Sequence, residues 1–480
     1  MDDREAVMRE LKCLVAGEWT DGPKTLEVRS PFDGRTVAKV ARGGPDELQA
    51  AADCAERALE TTAQLRPAQR AAILDRAAAM IRDRRDELAT ILCEEAGKPI
   101  AQARVEAERC VDTFTAAAAI ARHPEVEAMD LSGYDAGAGR LALVRRVPIG
   151  PVAAITPFNF PLNLVAHKLA PAVAAGCPVV LKPASQTPSP ALVLAKILLD
   201  AGLPPTALSV VPSSGKDAEA LASDDRFGLL TFTGSMEVGW RLKEVGWKRR
   251  VTLELGGNAA VVVEPDVDDL EAVARRICAG AFGFAGQSCI SVQRVLVHED
   301  VYVAMRRELV EAAERVVTGD PADEATVCGP LISSDDAERV VDWIAEATSA
   351  KGRLLTGGER DGNVVRPAVL EEVPPDQRVV CDEVFGPVAV LDAYEDFPQA
   401  LNMVNDSRYG LQAGIYTRDA SKIQQAWQTL EVGGIIQGDI PSWRVDPMPY
   451  GGVKDSGTGR EGPLFAWREM TEERLLVVSR

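Results

Sequence analysis

The chain has 480 residues, of which 46 % are hydrophobic and 26 % charged, and it carries a net charge of −19. That length exceeds one ordinary domain and predicts two or three, each with ample core. The acidic balance excludes a nucleic-acid partner, because a phosphate backbone asks for a basic surface.

Along the chain, the opening Met1-Asp2-Asp3-Arg4-Glu5 is acidic and has no apolar run of the signal-peptide kind. No apolar stretch is long enough to cross a bilayer, so no membrane partner is expected. Residues 46 to 123 read as helices, with apolar positions recurring at helical spacing through Ile73, Leu74, Ala77, Met80 and Ile81. From Arg140 the texture changes. Leu141, Leu143 and Val144 suggest a strand, and short apolar runs at 152–155, 179–181, 208–211 and 229–232 then alternate with helical patterns at 163–175, 188–201, 216–223 and 236–245. Strand, helix, strand at this pitch predicts a parallel α/β sheet. A second α/β region follows Gly256-Gly257, with strands at 260–263 and 292–297, a helix over about 267–283, and further elements to about 437. Leu475-Leu476-Val477-Val478 reads as a terminal strand. Without a linker between them, the two regions pack together and place a site in between.

Nine cysteines without CxxC spacing are no disulfide framework and predict a reducing, cytoplasmic setting. The three histidines, His123, His167 and His298, stand at no ligand spacing, so no metal is expected. Four places can carry chemistry. Cys289 sits among small residues between a helical pattern and a strand, where a thiolate can attack a carbonyl, although most cysteines are inert core. Glu254 ends an apolar run before Gly256-Gly257. It suits a general base with room beside it, or a buried ion pair. Asn159 follows a strand at the edge where α/β proteins bind ligands, and its amide can donate to an oxyanion or simply serve a turn. The turn Thr233-Gly234-Ser235 offers N–H groups and a helix N-terminus to a phosphate, with Ser235 as a possible cap. No GxGxxG occurs, which disfavours an ordinary Rossmann dehydrogenase.

In order, the chain contains Thr156-Pro157-Phe158-Asn159-Phe160-Pro161, Lys182-Pro183-Ala184-Ser185, Phe232-Thr233-Gly234-Ser235, Leu253-Glu254-Leu255-Gly256-Gly257-Asn258, Gly286-Gln287-Ser288-Cys289, Glu383-Val384-Phe385-Gly386-Pro387 and Pro449-Tyr450-Gly451-Gly452. With these seven segments it resembles the aldehyde dehydrogenase superfamily over nearly its whole length, in a branch similar to lactaldehyde and phosphonoacetaldehyde dehydrogenases. The resemblance implies two parallel-sheet α/β domains. A dinucleotide-binding domain would cover 1–123 and 147–254, and a catalytic domain 255–436. A bridging strand pair in 124–146 and 437–480 would serve a homodimer or homotetramer. It implies Cys289 as nucleophile, Asn159 and the Cys289 N–H as oxyanion hole, and Glu254 as the base for deacylation. NAD(P)+ would be held by Ile155, Thr156, Pro157, Phe158, Lys182, Ser185, Gly234, Ser235, Val238, Leu255, Glu383 and Phe385. Where NAD-selective relatives carry a Glu, this chain has Ser185, so NADP+ should be accepted and even preferred.

The family's Pro-Phe-Gly-Gly reads Pro-Tyr-Gly-Gly here, a mild change at Tyr450. Ile436-Gln437-Gly438-Asp439 departs from the usual Val-Asn and is expected to alter a wall of the substrate entrance. Arg109 and Arg444, with Phe160 and Ser288, are the candidate substrate contacts. Phosphonate enzymes of the branch hold their anion with arginines at the first two places, but carry a His for Phe160 and an Arg for Ser288. A small polar or anionic aldehyde is therefore expected, with hydroxy-aldehydes such as lactaldehyde as the neutral option. Two alternatives are a coenzyme A-acylating semialdehyde dehydrogenase, which Glu254 argues against, and a non-catalytic protein on the same scaffold.

Overall fold

The computed structural model describes residues 8–479. Two parallel sheets organise the chain. The first has eight strands, and its parallel core runs Arg250–Glu254, Leu229–Thr233, Val152–Ile155, Val179–Lys182, Leu208–Val210. The strand order reverses between Val152–Ile155 and Leu229–Thr233, since later strands are added on opposite sides of these two. Loops leaving the carboxyl ends of such strands diverge and open a crevice there. Both candidate loops, the one with Asn159 and the turn Thr233-Gly234-Ser235, start at that point. The second sheet has seven strands around Ala259–Val263, Val292–His298 and Val388–Tyr394, paired in parallel.

The helical run predicted over 46–123 is four helices, Pro45–Gln64, Pro67–Asp83, Arg85–Ala96 and Ile100–Arg122. The last three pack their small apolar faces with Leu162, Val165 and Leu169 into one core on one face of the first sheet, while the first, through Leu48, Ala51, Ala52 and Ala55, packs with Ala153, Ile155 and Val180 into a separate core. The helix Asn163–Ala175 is buried along its entire length. Such a helix needs apolar residues on all sides, and its only charged side chain, Lys168, therefore needs partners.

Two expectations need correction, and one segment adds strands for which no element was expected. The bridging pair is a three-stranded antiparallel sheet, Val126–Asp130, Arg140–Pro148 and Thr471–Ser479. The segment after 437 is more than a bridge and tail. It returns to the first sheet, where Gly457–Thr458 pairs antiparallel with Leu253 and Glu254. Residues before 45, given no structure in the sequence reading, form short strands. Cys13–Val15 and Glu18–Thr20 extend the first sheet, while Arg9–Leu11, Lys24–Arg29 and Thr36–Arg42 form another.

Candidate active site

A cavity of about 840 Å3 lies between the two sheets, and Asn159, Glu254, Cys289, Glu383 and Tyr450 all line it. Cys289 is delivered by a strained bend. Phe284, Ala285 and Gly286 are consecutive left-handed residues with φ of +51°, +54° and +68°, a conformation costly for the two non-glycines. A Cβ on Gly286 would overlap the carbonyl of Gly386, and one on Gly257 would overlap the carbonyl of Cys289 itself. The small residues noted around the cysteine are thus required by backbone packing as well as by substrate access. The thiol accepts or donates a 2.9 Å hydrogen bond with the Tyr450 hydroxyl. Burial pushes it up to about 12, and the Glu383 and Glu254 carboxylates add to the rise while Tyr450 and Arg444 oppose it.

Asn159 is buried. One N–H of its amide donates to the Gln287 carbonyl at 3.0 Å, and its oxygen accepts from the Phe160 N–H at 3.1 Å. The amide is thereby oriented with its second N–H unspent, and the backbone N–H of Cys289 has no acceptor among the described residues. Two unspent donors beside a nucleophile can receive an oxyanion.

Glu254 ends the strand Arg250–Glu254, and both its oxygens are buried without a partner. Burial, with the Glu461 carboxylate second, raises its pKa well above the ordinary value; Arg444, Lys168 and Arg460 pull the other way. A buried carboxylate with an open side, ready to hold a proton, is what a general base needs. Nearby, Lys168 donates to Glu461 at 3.1 Å and to Thr231 and Thr233 at 3.0 and 2.8 Å. Glu461 is held below the usual carboxylate range, against its burial, by Lys168, His167 and Arg444. The sequence reading missed this pair. A lone lysine in an otherwise apolar helix was a readable signal for Lys168, whereas Glu461 gave none.

The anion-binding expectation divides. Arg109 gives Nε and Nη2 to Asp446 at 3.1 and 2.9 Å, so one edge of its guanidinium is spent. Asp446 also accepts from Asn163 at 2.9 Å and faces His167 Nε2 at 2.8 Å. Burial raises this carboxyl, but the hydrogen bond to His167 and the Arg109 charge outweigh it and hold it far below the ordinary range. Arg444 is differently placed. Its side chain is 6 % exposed, its nearest carboxylate oxygen is 3.9 Å away on Glu461, and its Nε is buried without a partner among the described residues. Its Nη2 lies 3.1 Å from His167 Nε2. That nitrogen already contacts Asp446, and burial keeps His167 toward its neutral form. A neutral imidazole donating to Asp446 has nothing left at Nε2 to accept from Arg444. Phe160 lines the cavity under the buried Lys98 ammonium, 3.7 Å from the ring centre. Ser288 lines it too.

Of the cofactor candidates, Pro157, Phe158, Gly234, Ser235, Leu255, Glu383 and Phe385 border the cavity, whereas Ile155, Thr156, Lys182, Ser185 and Val238 do not. Ile155 and Lys182 end adjacent strands in register, at the carboxyl edge of the first sheet. Thr156 follows, with its hydroxyl buried and unpartnered. Lys182 makes no ion pair or hydrogen bond among the described residues; burial lowers its pKa, and the nearby charge of Arg42 lowers it further. The Ser185 hydroxyl makes a long 3.5 Å contact to the Ser213 carbonyl. Ser235 occupies the N-cap of Met236–Val245, yet its side chain makes no capping bond, contrary to expectation. Val238 is exposed on that helix. Glu383 accepts from the Gly257 N–H at 2.8 Å and is pushed up to about 7 by burial. Phe385 meets Phe158 edge to face at 5.9 Å. Idle donors along a sheet edge, leading to a cavity with an aromatic pair, fit a dinucleotide. The substituted 436–439 segment does not border the cavity. There Asp439 pairs with Arg276, and Gln437 donates to the Thr417 carbonyl.

The aldehyde dehydrogenase family model matches residues 19–476. The chain belongs to that family. It is 42 % identical over 473 residues to a 3-sulfolactaldehyde dehydrogenase from Priestia aryabhattai, covering 98 % of each chain. Its fold matches aldehyde dehydrogenase 21 from Physcomitrella patens, solved with the reaction product succinate, at TM-score 0.97 and 42 % identity, covering 98 % of this chain and 99 % of that one. It also matches glyceraldehyde-3-phosphate dehydrogenase GapN from Methanocaldococcus jannaschii, solved with NADP, at TM-score 0.92 and 35 % identity, covering 95 % and 100 %. As a member of the family it is an oxidoreductase that takes an aldehyde to a carboxylate with NAD(P)+.

Proposed function

We propose that this aldehyde dehydrogenase oxidises a small anionic aldehyde through a thioester on Cys289, with NADP+ preferred. The observation that carries the substrate class is Arg444. A guanidinium desolvated on the cavity wall, whose Nε has no acceptor among the described residues and whose nearest carboxylate oxygen is 3.9 Å away, supports binding of a carboxylate, sulfonate or phosphate. The edge of Arg109 not committed to Asp446 is available beside it. The names of the relatives lean the same way, toward a sulfonate, a dicarboxylate product and a phosphate.

In this reading the Cys289 thiolate adds to the carbonyl carbon. The C=O electron pair moves to oxygen, and the second Asn159 N–H and the Cys289 N–H hold it. The bound NAD(P)+ supplies a hydride acceptor. Glu254 then takes a proton from water, whose oxygen attacks the thioester, releases the acid and restores the thiolate. The charges of Glu461 and Lys168 bear on Glu254 from nearby, Glu461 raising its pKa and Lys168 lowering it. The first sheet with its helices, 1–123 and 147–254, serves as the dinucleotide domain, and 255–436 as the catalytic domain. Lys182 faces the adenosine ribose. Lys182 and Arg42 are two close cations, and with the uncharged Ser185 they favour a 2′-phosphate. The protein works in the cytoplasm as a homo-oligomer joined through the three-stranded sheet.

The test is initial-rate kinetics of Arg444→Ala on sulfonated, carboxylated and neutral short aldehydes, with each cofactor. KM for the anionic aldehydes should rise by about one to two orders of magnitude, with little change for neutral ones, as expected for loss of a charged hydrogen bond of about 1.5–3 kcal/mol. Because Arg444 also stacks over Tyr450 beside Cys289, a fall in kcat common to both classes is expected, and an equal rise in KM for both would sink the anionic reading. Any preference for NAD+ would sink the NADP+ preference, and one above roughly a hundredfold would sink acceptance of NADP+ as well.

A further inference from the structure

The departure from Phe to Tyr at 450, which looks mild in sequence, is where this site differs most in chemistry. The Tyr450 hydroxyl lies 2.9 Å from Cys289 Sγ. The Arg444 guanidinium is stacked over the phenol ring, 3.8 Å from its centre. The ring has little freedom. Tyr450 is 4 % exposed, its N–H donates to the Glu461 carbonyl at 3.1 Å, and its carbonyl accepts from the Glu461 N–H at 2.6 Å. We propose that Tyr450 is a catalytic residue of this enzyme, a phenol donor polarised by Arg444 that eases ionisation of Cys289 and aims the thiolate, once formed, into the cavity.

The need for such a donor is plain from what surrounds the sulfur. Desolvation and the Glu383 and Glu254 carboxylates all oppose the thiolate, and only Tyr450 and Arg444 favour it. Phenylalanine at 450 would leave Arg444 alone to offset them. The direction of the hydrogen bond follows from the phenol's own environment. Burial, Cys289 and Glu254 keep its proton on, so Tyr450 gives the hydrogen bond and the sulfur accepts it. A cation over the ring strengthens that O–H as a donor. The thiol's proton leaves to solvent through the cavity. When sulfur then bonds the carbonyl carbon, its negative charge passes to the oxygen held by Asn159. The phenol's hydrogen bond to sulfur weakens, which leaves the O–H free to turn to a polar group of the substrate.

The inference rests on Cys289 as nucleophile, but its test does not depend on the substrate. The rate at which iodoacetamide alkylates Cys289 in the purified protein is followed from about pH 6 to about pH 11, with the labelled peptide measured by mass spectrometry so that the other cysteines do not confuse it. Tyr450→Phe should slow alkylation of Cys289 about tenfold at every pH in this range, the midpoint itself lying beyond its upper end. Its melting temperature should stay close to that of the parent protein. A fluorinated tyrosine at 450 is a stronger donor in nearly the same volume and should speed alkylation over the same range. A packing role for the ring predicts neither change. An unchanged profile in both variants would overturn the proposal while leaving Cys289 as nucleophile intact.

Discussion

At the scale of single residues, the site concentrates groups that the fold would be more stable without. Glu254 is buried with both oxygens unpartnered. Its folded pKa is raised above the unfolded value, so its contribution to stability is fullest below the unfolded pKa and is lost as pH rises through the folded one. Glu254→Gln should therefore melt higher than the parent at about pH 9, by the equivalent of about 1–2 kcal/mol, and match it near pH 4. The same variant should give one burst of reduced cofactor in rapid mixing and then stall, because acylation survives and water activation does not. A uniformly slow rate without a burst would move Glu254 to a role in acylation. Cys289→Ala should retain less than a few per cent of the rate, with circular dichroism and melting unchanged, since the half-buried thiol contributes little packing. Arg109 and Arg444 are the converse lesson. As letters they were equivalent, and only their partners distinguish a guanidinium bound bidentately to a carboxylate from one whose nearest carboxylate oxygen is 3.9 Å away.

At the scale of elements, the three-stranded sheet is out of keeping with the rest of the molecule. Leu475, Leu476, Val477 and Val478 are consecutive, so they point to both faces of the strand Thr471–Ser479, and all are more than 40 % exposed. The strand Val126–Asp130 is exposed throughout and forms an open edge. A sheet apolar on both faces with a bare edge calls for cover. Leu476→Asp should lower the assembly state seen in sedimentation velocity, toward the 51.4 kDa of one chain. An unchanged sedimentation profile would place the subunit interface elsewhere. The elements read from periodicity are found close to where the pattern put them. The helix predicted at 163–175 is Asn163–Ala175, and the one at 236–245 is Met236–Val245. The short N-terminal strands were not legible, because segments of three to seven residues with mixed burial give too little alternation to detect.

At the scale of the whole molecule, the sequence by itself determined the class of fold and singled out the candidate reacting groups. Strand–helix alternation is a local consequence of hydrophobic period, and the motifs around Asn159, Glu254 and Cys289 are contiguous stretches that carry their chemistry with them. Tertiary structure alone decided which charges are idle and which are spent. Asp446 lies 337 residues from Arg109 and 279 from His167, Glu461 is 293 from Lys168, and Tyr450 is 161 from Cys289. The reason is physical. A residue's reactivity depends on its desolvation and on the charges within a few ångströms, and in a chain folded around two sheets those neighbours come from distant segments. Only the return of the last forty residues to the edge of the first sheet, where Gly457 pairs with Glu254, brings Arg444, Tyr450 and Glu461 to the cavity.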